Sequence, residues 1–510
     1  MREGALERQN KGGRDRLAMA ALGLLTFVSR IPFRSHVLYH WDSVNFANGM
    51  HHFDVLQEHP HPPGYILYVW LCRLVDLLFH DANATMVWIS VVASGLAVVA
   101  LYLLGRAMWN RRVGVAAALF LASSPLFWFY GEIALPHTLD TFLVLLALWL
   151  LYRVWQGEDR LLWPAAVVLG IAGGVRPQTL VFLLPVTLYA AWRLGWKRLL
   201  LAGLLGAAVC LAWFLPLVAS CGGVGPYLGK MSTYSARFQR STSVLVGAGW
   251  SGVAYNLRKL GLYTAYGAAA ALIPLGLYTA TRLVRRRWPR RWDRVAFLGL
   301  WVAPAGLFYS LIHMGQQGLV FIFLPALLLL GGLGLDRLLP ARRGWQAAAA
   351  LVVAQAAVFC LVPEYPLGPG TQRLLTRETV VRSDRYYGDR FAAVRDNFPP
   401  ESTLILAANW DHVRYYLPEY TVLPFAAAQD WAGEAHPWGE DPAVEGRTAH
   451  LARQEGVAVV LFDPALAAYN DTPALTQGVR LAHGDILAFL RVSEELAFEC
   501  CRDSFGLVRR

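Results

Sequence analysis

The sequence predicts an all-α polytopic membrane protein of about eleven transmembrane helices, with a small α/β domain outside the membrane at its C-terminal end. Of its 510 residues, 56% are hydrophobic and 16% are charged, whereas soluble domains average roughly 25% charged residues. The mean hydropathy is +0.38, and many apolar runs are long enough to cross a bilayer core of about 30 Å. The sequence after residue 363 has an ordinary soluble composition, which marks a second region.

Charge decides which apolar runs are spans. The predicted spans are 17–33, 84–106, 113–130, 138–155, 161–175, 178–194, 198–219, 260–281, 295–312, 318–335 and 344–362. If the further run 62–79 also spanned, the loop Arg106–Arg112 and every later basic loop would fall outside, against the tendency of Lys and Arg to remain cytoplasmic. We therefore predict that 62–79 lies along the outer surface as an interfacial helix.

This choice places the N-terminus in the cytoplasm and the C-terminus outside the plasma (inner) membrane of a bacterium. The outer face then receives a long first loop, 34–83, and the loop 220–259. The net charge of +11 is explained by basic residues beside cytoplasmic helix ends, so we expect no nucleic-acid partner. The first span has the basic start and apolar core of a signal peptide but no convincing small-residue cleavage site, so we expect it to remain uncleaved.

Two domains follow from this division, a transmembrane domain 1–362 and an extracytoplasmic domain 363–510. In the second domain, 402–407 and 457–462 read as short buried strands. A helix is predicted to open near Asp411. Together these elements predict the small α/β fold.

Asp42 is the first candidate for chemistry, because Trp41-Asp42 follows the exit of the first span. A carboxylate at the membrane surface can act as a general base toward an acceptor hydroxyl or amine. The alternative is a helix N-cap for residues 43–50. The two roles are compatible.

The first loop also holds the run Glu58-His59-Pro60-His61-Pro62-Pro63-Gly64. Its prolines fix the backbone, so the imidazoles and the carboxylate are held in place. The run is interpreted either as a metal or phosphate site or as a proline-rich helix entry with solvated histidines. Two histidines beside a carboxylate are a weak metal signal.

Three ionisable residues flank the second outer loop: Glu132, His137 and Asp140. If Pro136 starts a helix, His137 and Asp140 share one face of it. An aspartate inside a membrane span is costly and usually functional. These residues are candidates for substrate binding.

Polar turns at the predicted outer ends of helices supply the remaining candidates. Arg176 has the chemistry to hold a phosphate through charge-assisted hydrogen bonds, although helix capping and snorkelling would also explain it. Gln316 and Gln317 occupy a similar turn. Lys230 belongs to a basic outer loop, which suits an anionic, phospholipid-like ligand.

Together these residues resemble the C-type glycosyltransferases, which are polytopic enzymes that use polyprenyl-phosphate-linked sugars. The protein O-mannosyltransferases and the lipid A aminoarabinose transferases are similar over roughly 17–335. The resemblance rests on Trp41-Asp42, on His61-Pro62-Pro63-Gly64 before the 62–79 helix, and on an acidic second outer loop.

The resemblance implies that Asp42 activates the acceptor and that Arg176 and the basic loop hold the lipid phosphate. Polyprenyl phosphate would leave from an inverted anomeric centre. The expected partners are then a polyprenyl-phosphate sugar as donor and the membrane lipids. The acceptor is left open between a protein, a glycan and a lipid. A divalent metal, Mg²⁺ or Mn²⁺, is the one cofactor left open, with Glu58, His59 and His137 as candidate ligands. His61, Glu132, Asp140, Gln316, Gln317 and Lys230 are the further expected substrate contacts.

Two other functions remain open. A transporter or flippase of a lipid-linked or anionic solute would be expected to show internal repeats and ionisable residues at mid-bilayer; the sequence shows no repeat and places its ionisable residues at span ends. A membrane scaffold whose outer domain binds a partner would explain 363–510 but not the first-loop cluster.

Overall fold

A computed structural model describes most of the chain. The described residues are 2–286, 291–367, 372–424, 448–450, 457–464, 476–492, 496–500 and 505–509. They divide into two compact units. The first unit comprises Met1–Ser35, Gly49–Tyr365 and Leu374–Val380, and the second comprises His36–Asn48, Pro366–Arg373 and Val381–Arg510.

Helical segments occupy each of the eleven apolar runs that the sequence marks. Their bounds are α1 Arg2–Arg30, α2 Trp41–His51, α3 Ile66–Phe79, α4 Ala82–Met108, α5 Arg111–Ser123, α6 Pro125–Tyr130, α7 His137–Trp155, α8 Leu162–Val175, α9 Gln178–Ala191, α10 Trp196–Ser220, α11 Val224–Thr242, α12 Gly249–Val284, α13 Trp292–Leu311, α14 Leu324–Leu338 and α15 Ala341–Leu361. Within the described residues, seven helices are long and apolar enough to cross a membrane: Gly13–Phe33, α4, α7, α10, α12, α13 and α15.

Helix α3 lies within the ambiguous run 62–79. Its 14 residues give a length of about 21 Å, short of the roughly 30 Å that a span requires. Helices α8 and α9, both predicted to span, also have 14 residues each, so the interfacial position of α3 rests on the charge pattern of the loops.

The first unit packs helices at backbone distance where glycines remove the side chain. A Cβ on Gly114 in α5 would come within 2.6 Å of the Tyr102 carbonyl oxygen in α4. A Cβ on Gly331 in α14 would come within 2.5 Å of the Ala271 side chain in α12. Such close approach of small residues is the usual means of packing helices in a membrane, where lipid tails are as apolar as the helix surfaces.

Three features of the first unit differ from the sequence prediction. The run 113–130 is two helices, because Pro125 starts a new one after Ser124. The run 318–335 begins as a 3₁₀ turn, Gln317–Ile322, before α14. The loop 220–259 contains helix α11, which begins directly after Gly222 and Gly223, both with positive φ.

The second unit is built on a sheet. Its elements, with those leading into it, are β1 Tyr365–Pro366, β2 Arg373–Leu374, α16 Arg377–Asn397, β3 Thr403–Ala407, α17 Trp410–Tyr416, β4 Thr421–Pro424, β5 Thr448–His450, β6 Val457–Leu461, β7 Thr476–Arg480, β8 Ile486–Val492, β9 Leu496–Cys500 and β10 Phe505–Arg509. Among the described strands, one sheet has the order β4-β3-β6-β8-β7, and a smaller one has the order β10-β9-β5.

Strand β3 pairs in parallel with β4 and β6, whereas β8 is antiparallel to β6 and β7. All five residues of β3 and of β6 are buried, as expected for the central strands of a covered sheet. Phe391 and Val394 of α16 pack against Ile405 and Val460 in the core. Strands therefore lie where 402–407 and 457–462 predict them.

Candidate functional site

Arg176 lies at the break between α8 and α9. The chain leaves α8 at Val175, Arg176 is extended, and Pro177 precedes α9, because a residue before proline is disfavoured in the helical region. The side chain is nevertheless buried, and its Nη1 lies 3.4 Å from Oδ2 of Asp140. The predicted cation is thus held inside the first unit rather than snorkelling outward.

Asp140 sits in the first turn of α7, where a carboxylate is favoured by the helix dipole. Its Oδ1 accepts a hydrogen bond of 2.8 Å from Oγ1 of Thr179, and its Oδ2 faces Arg176. Both oxygens are therefore occupied. This network fixes the start of α7 against the turn between α8 and α9.

Arg176 stays charged despite its enclosure. Burial works against the charge, but the facing Asp140 carboxylate favours it, and the pKa of Arg176 is raised. A buried, permanently charged guanidinium with one carboxylate partner is suited to bind an anion, since its planar fork presents five N–H donors.

His61 is the neighbour of Arg176 from the first loop. Its ring lies 5.0 Å from the ring of Tyr65 and 5.9 Å, nearly parallel, from the ring of Tyr234 in α11. Burial, together with the charge of Arg176, lowers the pKa of His61 to about 4, and Glu58 opposes this shift. The imidazole is therefore neutral at physiological pH and suited to hydrogen bonding rather than to charge.

Glu58 ties the first loop to α11. Its carboxylate lies 3.1 Å from Nζ of Lys230 and 3.3 Å from Nη2 of Arg237. One turn earlier on the same helix, the Tyr227 hydroxyl donates to the Pro63 carbonyl oxygen at 3.2 Å. Helix α11, which the sequence prediction missed, thus carries Lys230 and Tyr234 against the Pro-rich run. The spacing Tyr227, Lys230, Tyr234, Arg237 is the signal that would have revealed it.

The second outer loop forms a separate aromatic contact. The ring of His137 packs 4.6 Å from that of Tyr130, and the Tyr130 hydroxyl donates to Oε1 of Gln317 at 3.0 Å. Gly318 lies so close that a Cβ there would come within 2.4 Å of the His137 ring. Gln317 and His137 are therefore brought together, as part of a packed cluster.

Glu132 belongs to another buried cluster. It is fully buried in the loop before α7, in electrostatic contact with Arg30, whose guanidinium stacks 4.6 Å above the Trp128 ring. Burial raises the pKa of Glu132 well above its usual range, although Arg30 opposes the shift. This enclosure favours a structural role for Glu132 over the predicted substrate contact. Gln316 precedes the 3₁₀ turn, and its carbonyl oxygen accepts from the Leu319 amide at 3.2 Å.

Asp42 lies in the second unit, within the first turn of α2. The helix begins one residue before it, so Asp42 is not the cap that the alternative interpretation expected. Its side chain is buried, and Oδ2 lies 3.6 Å from Nδ1 of His40. The Asp42 amide also donates to that Nδ1 at 3.1 Å. His40, to which the sequence patterns assign no role, is thus the side chain that accompanies Asp42.

The residues present do not fit the expected metal site. Among the described residues, no three His, Cys, Asp or Glu side chains form a group that could hold a metal ion. Glu58 is engaged by two cations, His59 exchanges backbone hydrogen bonds with Asp54, and His137 packs on Tyr130. Glu58, His59 and His137 therefore do not make the predicted metal centre, because they belong to separate contacts.

Comparison with known proteins adds three findings. Residues 59–219 match the family model described as dolichyl-phosphate-mannose-protein mannosyltransferase. The chain is 27% identical over 343 residues to an undecaprenyl phosphate-alpha-4-amino-4-deoxy-L-arabinose arabinosyl transferase of Pseudomonas fluorescens, covering 62% of this chain and 59% of the relative. It is 29% identical over 350 residues to the corresponding enzyme of Pseudomonas paraeruginosa, covering 63% and 60%. The alignments thus span about 60% of the length of these relatives.

The fold has a solved counterpart. The crystal structure of ArnT from Cupriavidus metallidurans bound to undecaprenyl phosphate aligns with a TM-score of 0.55 at 14% identity, covering 93% of this chain and 97% of that one. The apo structure of the same protein aligns with a TM-score of 0.53. In sequence and in fold the chain resembles the polyprenyl-phosphate-dependent C-type membrane glycosyltransferases, so the resemblance read from its short motifs is confirmed.

Proposed function

We propose that this chain is a membrane glycosyltransferase that moves a sugar from a polyprenyl-phosphate donor to an acceptor on the extracytoplasmic face. The observation that carries the proposal is the buried Arg176 guanidinium, which keeps its charge beside Asp140 in the segment that matches the mannosyltransferase family model. A buried cation of this kind is suited to bind the phosphate that leaves the sugar.

In the proposed reaction, an acceptor hydroxyl or amine loses its proton to the Asp42 carboxylate as its oxygen or nitrogen bonds to the anomeric carbon. The bond between that carbon and the phosphate oxygen breaks, and polyprenyl phosphate leaves with the bonding electrons. Attack opposite the leaving group inverts the anomeric centre. Arg176 stabilises the charge that grows on the phosphate, which is the kind of preorganised electrostatic help that usually dominates catalysis.

The other residues of the proposed site orient Arg176 or contact the donor. Asp140 orients the guanidinium, and His61, neutral between Tyr65 and Tyr234, offers a hydrogen bond and an aromatic surface to the sugar. Lys230 adds positive charge where the loop meets α11. Gln316 and Gln317 supply amides for the sugar hydroxyls. Since the residues present do not form a metal site, no step is assigned to a metal.

The proposed topology has eleven spans, with the N-terminus in the cytoplasm of a bacterium and the domain 363–510 outside the plasma membrane. Both the orientation and the surface position of α3 rest on the basic loops of the sequence. We assign the acceptor to the outer face and propose that the α/β domain takes part in its selection.

The test is a release assay that does not depend on the identity of the acceptor. Protein in lipid nanodiscs is incubated with undecaprenyl-phosphate hexoses, pentoses and aminopentoses, and liberated undecaprenyl phosphate is measured by mass spectrometry. Candidate lipid, glycan and hydroxyl-peptide acceptors are then added, with and without chelator. Acceptor-dependent release of lipid phosphate from one donor is expected. Failure to bind or consume any of these donors would defeat the proposal.

A further inference from the structure

The first unit also contains a cavity whose lining does not include Arg176. A cavity of about 560 Å³ opens between α1, α5 and α15. Leu22 and Leu25 of α1 and Leu119 of α5 contribute to its apolar walls, while Arg111, Arg112 and Trp345 lie at the end where α5 and α15 begin. The cavity therefore has apolar walls, and one end of it, here called its mouth, is basic and aromatic.

Two carboxylates contact the arginines at the basic mouth of the cavity. Asp15 lies 2.6 Å from Nη2 of Arg106 and 3.8 Å from Nε of Arg111, and Asp336 lies 3.9 Å from Nη1 of Arg112. Both carboxylates are nearly buried, whereas the side chains of Arg111 and Arg112 are about half exposed, at 48% and 56%. The long ion pairs orient the two guanidiniums without occupying all their donors, since each has five N–H groups.

Charge and polarity together identify the occupant. Three guanidiniums meet two carboxylates here, which leaves net positive charge at the mouth, while the walls offer hydrocarbon. Tryptophan at such a place is typical of the headgroup level of a bilayer. Basic pockets between transmembrane helices are known to accept anionic lipid headgroups. A soluble anion would gain nothing from the leucine walls.

We propose that this cavity is a binding site for an anionic glycerophospholipid, with the phosphate on Arg111 and Arg112 and an acyl chain along Leu22, Leu25 and Leu119. The site is independent of the proposed transferase reaction. In the proposed topology this end of the bundle faces the cytoplasmic leaflet, whose surface is negatively charged.

The proposal is tested on the full-length protein, delipidated and titrated with phosphatidylglycerol or phosphatidylcholine of identical acyl chains. Native mass spectrometry counts the bound lipid. Wild type should bind one phosphatidylglycerol well ahead of phosphatidylcholine. The variant Arg111→Gln with Arg112→Gln should lose affinity for phosphatidylglycerol by about 25-fold, roughly fivefold per arginine, and keep its affinity for phosphatidylcholine.

Controls separate this site from general lipid contact. Arg285→Gln with Arg286→Gln removes two exposed arginines at the end of α12 and should leave both affinities unchanged. Leu119→Trp narrows the cavity but keeps its charges, and should weaken phosphatidylglycerol binding even if the double arginine variant fails to fold. Equal binding of the two lipids by wild type, or competition by excess inorganic phosphate as effective as that by phosphatidylglycerol, would overturn the proposal.

Discussion

The Arg176 guanidinium lies 3.4 Å from the Asp140 carboxylate, Nη1 to Oδ2, and the two side chains are 9% and 5% exposed. They join the first turn of α7 to the turn between α8 and α9. Removing one partner of a buried ion pair leaves an uncompensated charge, which typically costs about 3–5 kcal/mol of stability. Any test of function at Arg176 must therefore separate charge from folding.

The variant Arg176→Gln is expected to lower donor turnover by roughly 100- to 1,000-fold, the range typical for loss of one group that stabilises developing charge. Combining it with Asp140→Asn removes both charges, so the double variant should recover thermal stability but not turnover. Release of undecaprenyl phosphate and the unfolding midpoint are measured in parallel. Arg198→Gln, which removes an exposed partner of Asp159, is the matched control. Recovery of turnover in the double variant would show that Arg176 acts only through folding.

Glu58 is expected to hold α11 against the first loop. Its partners Lys230 and Arg237 are also cleavage sites for trypsin, so Glu58→Gln should expose them. Limited proteolysis should cut the variant faster within α11, with little loss of thermal stability, because partly exposed ion pairs contribute about 1 kcal/mol or less. Glu158→Gln, which breaks the exposed pair with Arg153, serves as control. Unchanged cleavage within α11 would mean that the Tyr227 hydrogen bond and the ring contacts are enough to hold α11 against the first loop without Glu58.

Histidine burial predicts acid sensitivity. Burial lowers the pKa values of His61 and His412 to about 4, whereas an unfolded histidine titrates near 6.5. Between these values the unfolded chain binds protons that the native protein does not, so stability is complete above pH 6.5 and falls as the pH drops toward 4. The unfolding midpoint measured across this window should decline.

The variant His412→Phe should make that decline shallower. It keeps a ring on Tyr387, which stacks on His412 at 4.7 Å, but cannot take up the proton. His52→Gln removes an exposed imidazole and should leave the slope as in wild type. An identical slope for His412→Phe and wild type would contradict the assignment.

The sequence located helices through apolar runs, since hydropathy reports directly on burial in lipid. It also identified Arg176, because an arginine between two apolar helices is costly and therefore conspicuous. It could not foresee that Asp140 would be its partner, because the pair joins positions 36 residues apart and depends on how α7 and α8 pack.

Helix α11 escaped prediction for a different reason. Its residues are mixed in polarity, and its apolar face is aromatic and covered by the first loop rather than by lipid, so hydropathy gave no signal. The predicted metal site of Glu58, His59 and His137 does not form among the described residues, because Glu58 was interpreted only from its neighbours in the sequence. In the structure it faces Lys230 and Arg237 of α11, and this contact between segments far apart in the chain is visible only after folding.

Asp42 gives the sharpest test of the reaction. Asp42→Asn keeps the size and hydrogen-bonding shape of the side chain but cannot accept the acceptor's proton, so turnover in the presence of acceptor should fall by roughly 100- to 10,000-fold. Donor binding, measured with undecaprenyl phosphate alone, should be unchanged, because the proposed phosphate contact is Arg176. Asp42→Glu restores a base and should recover part of the rate.

The neighbouring His40→Gln variant leaves the Asp42 carboxylate in place and removes the imidazole 3.6 Å from it, so a modest effect on turnover is expected. Wild-type turnover by Asp42→Asn would rule Asp42 out as the base, whereas weakened binding of undecaprenyl phosphate with an unchanged rate at saturation would assign it to the donor instead.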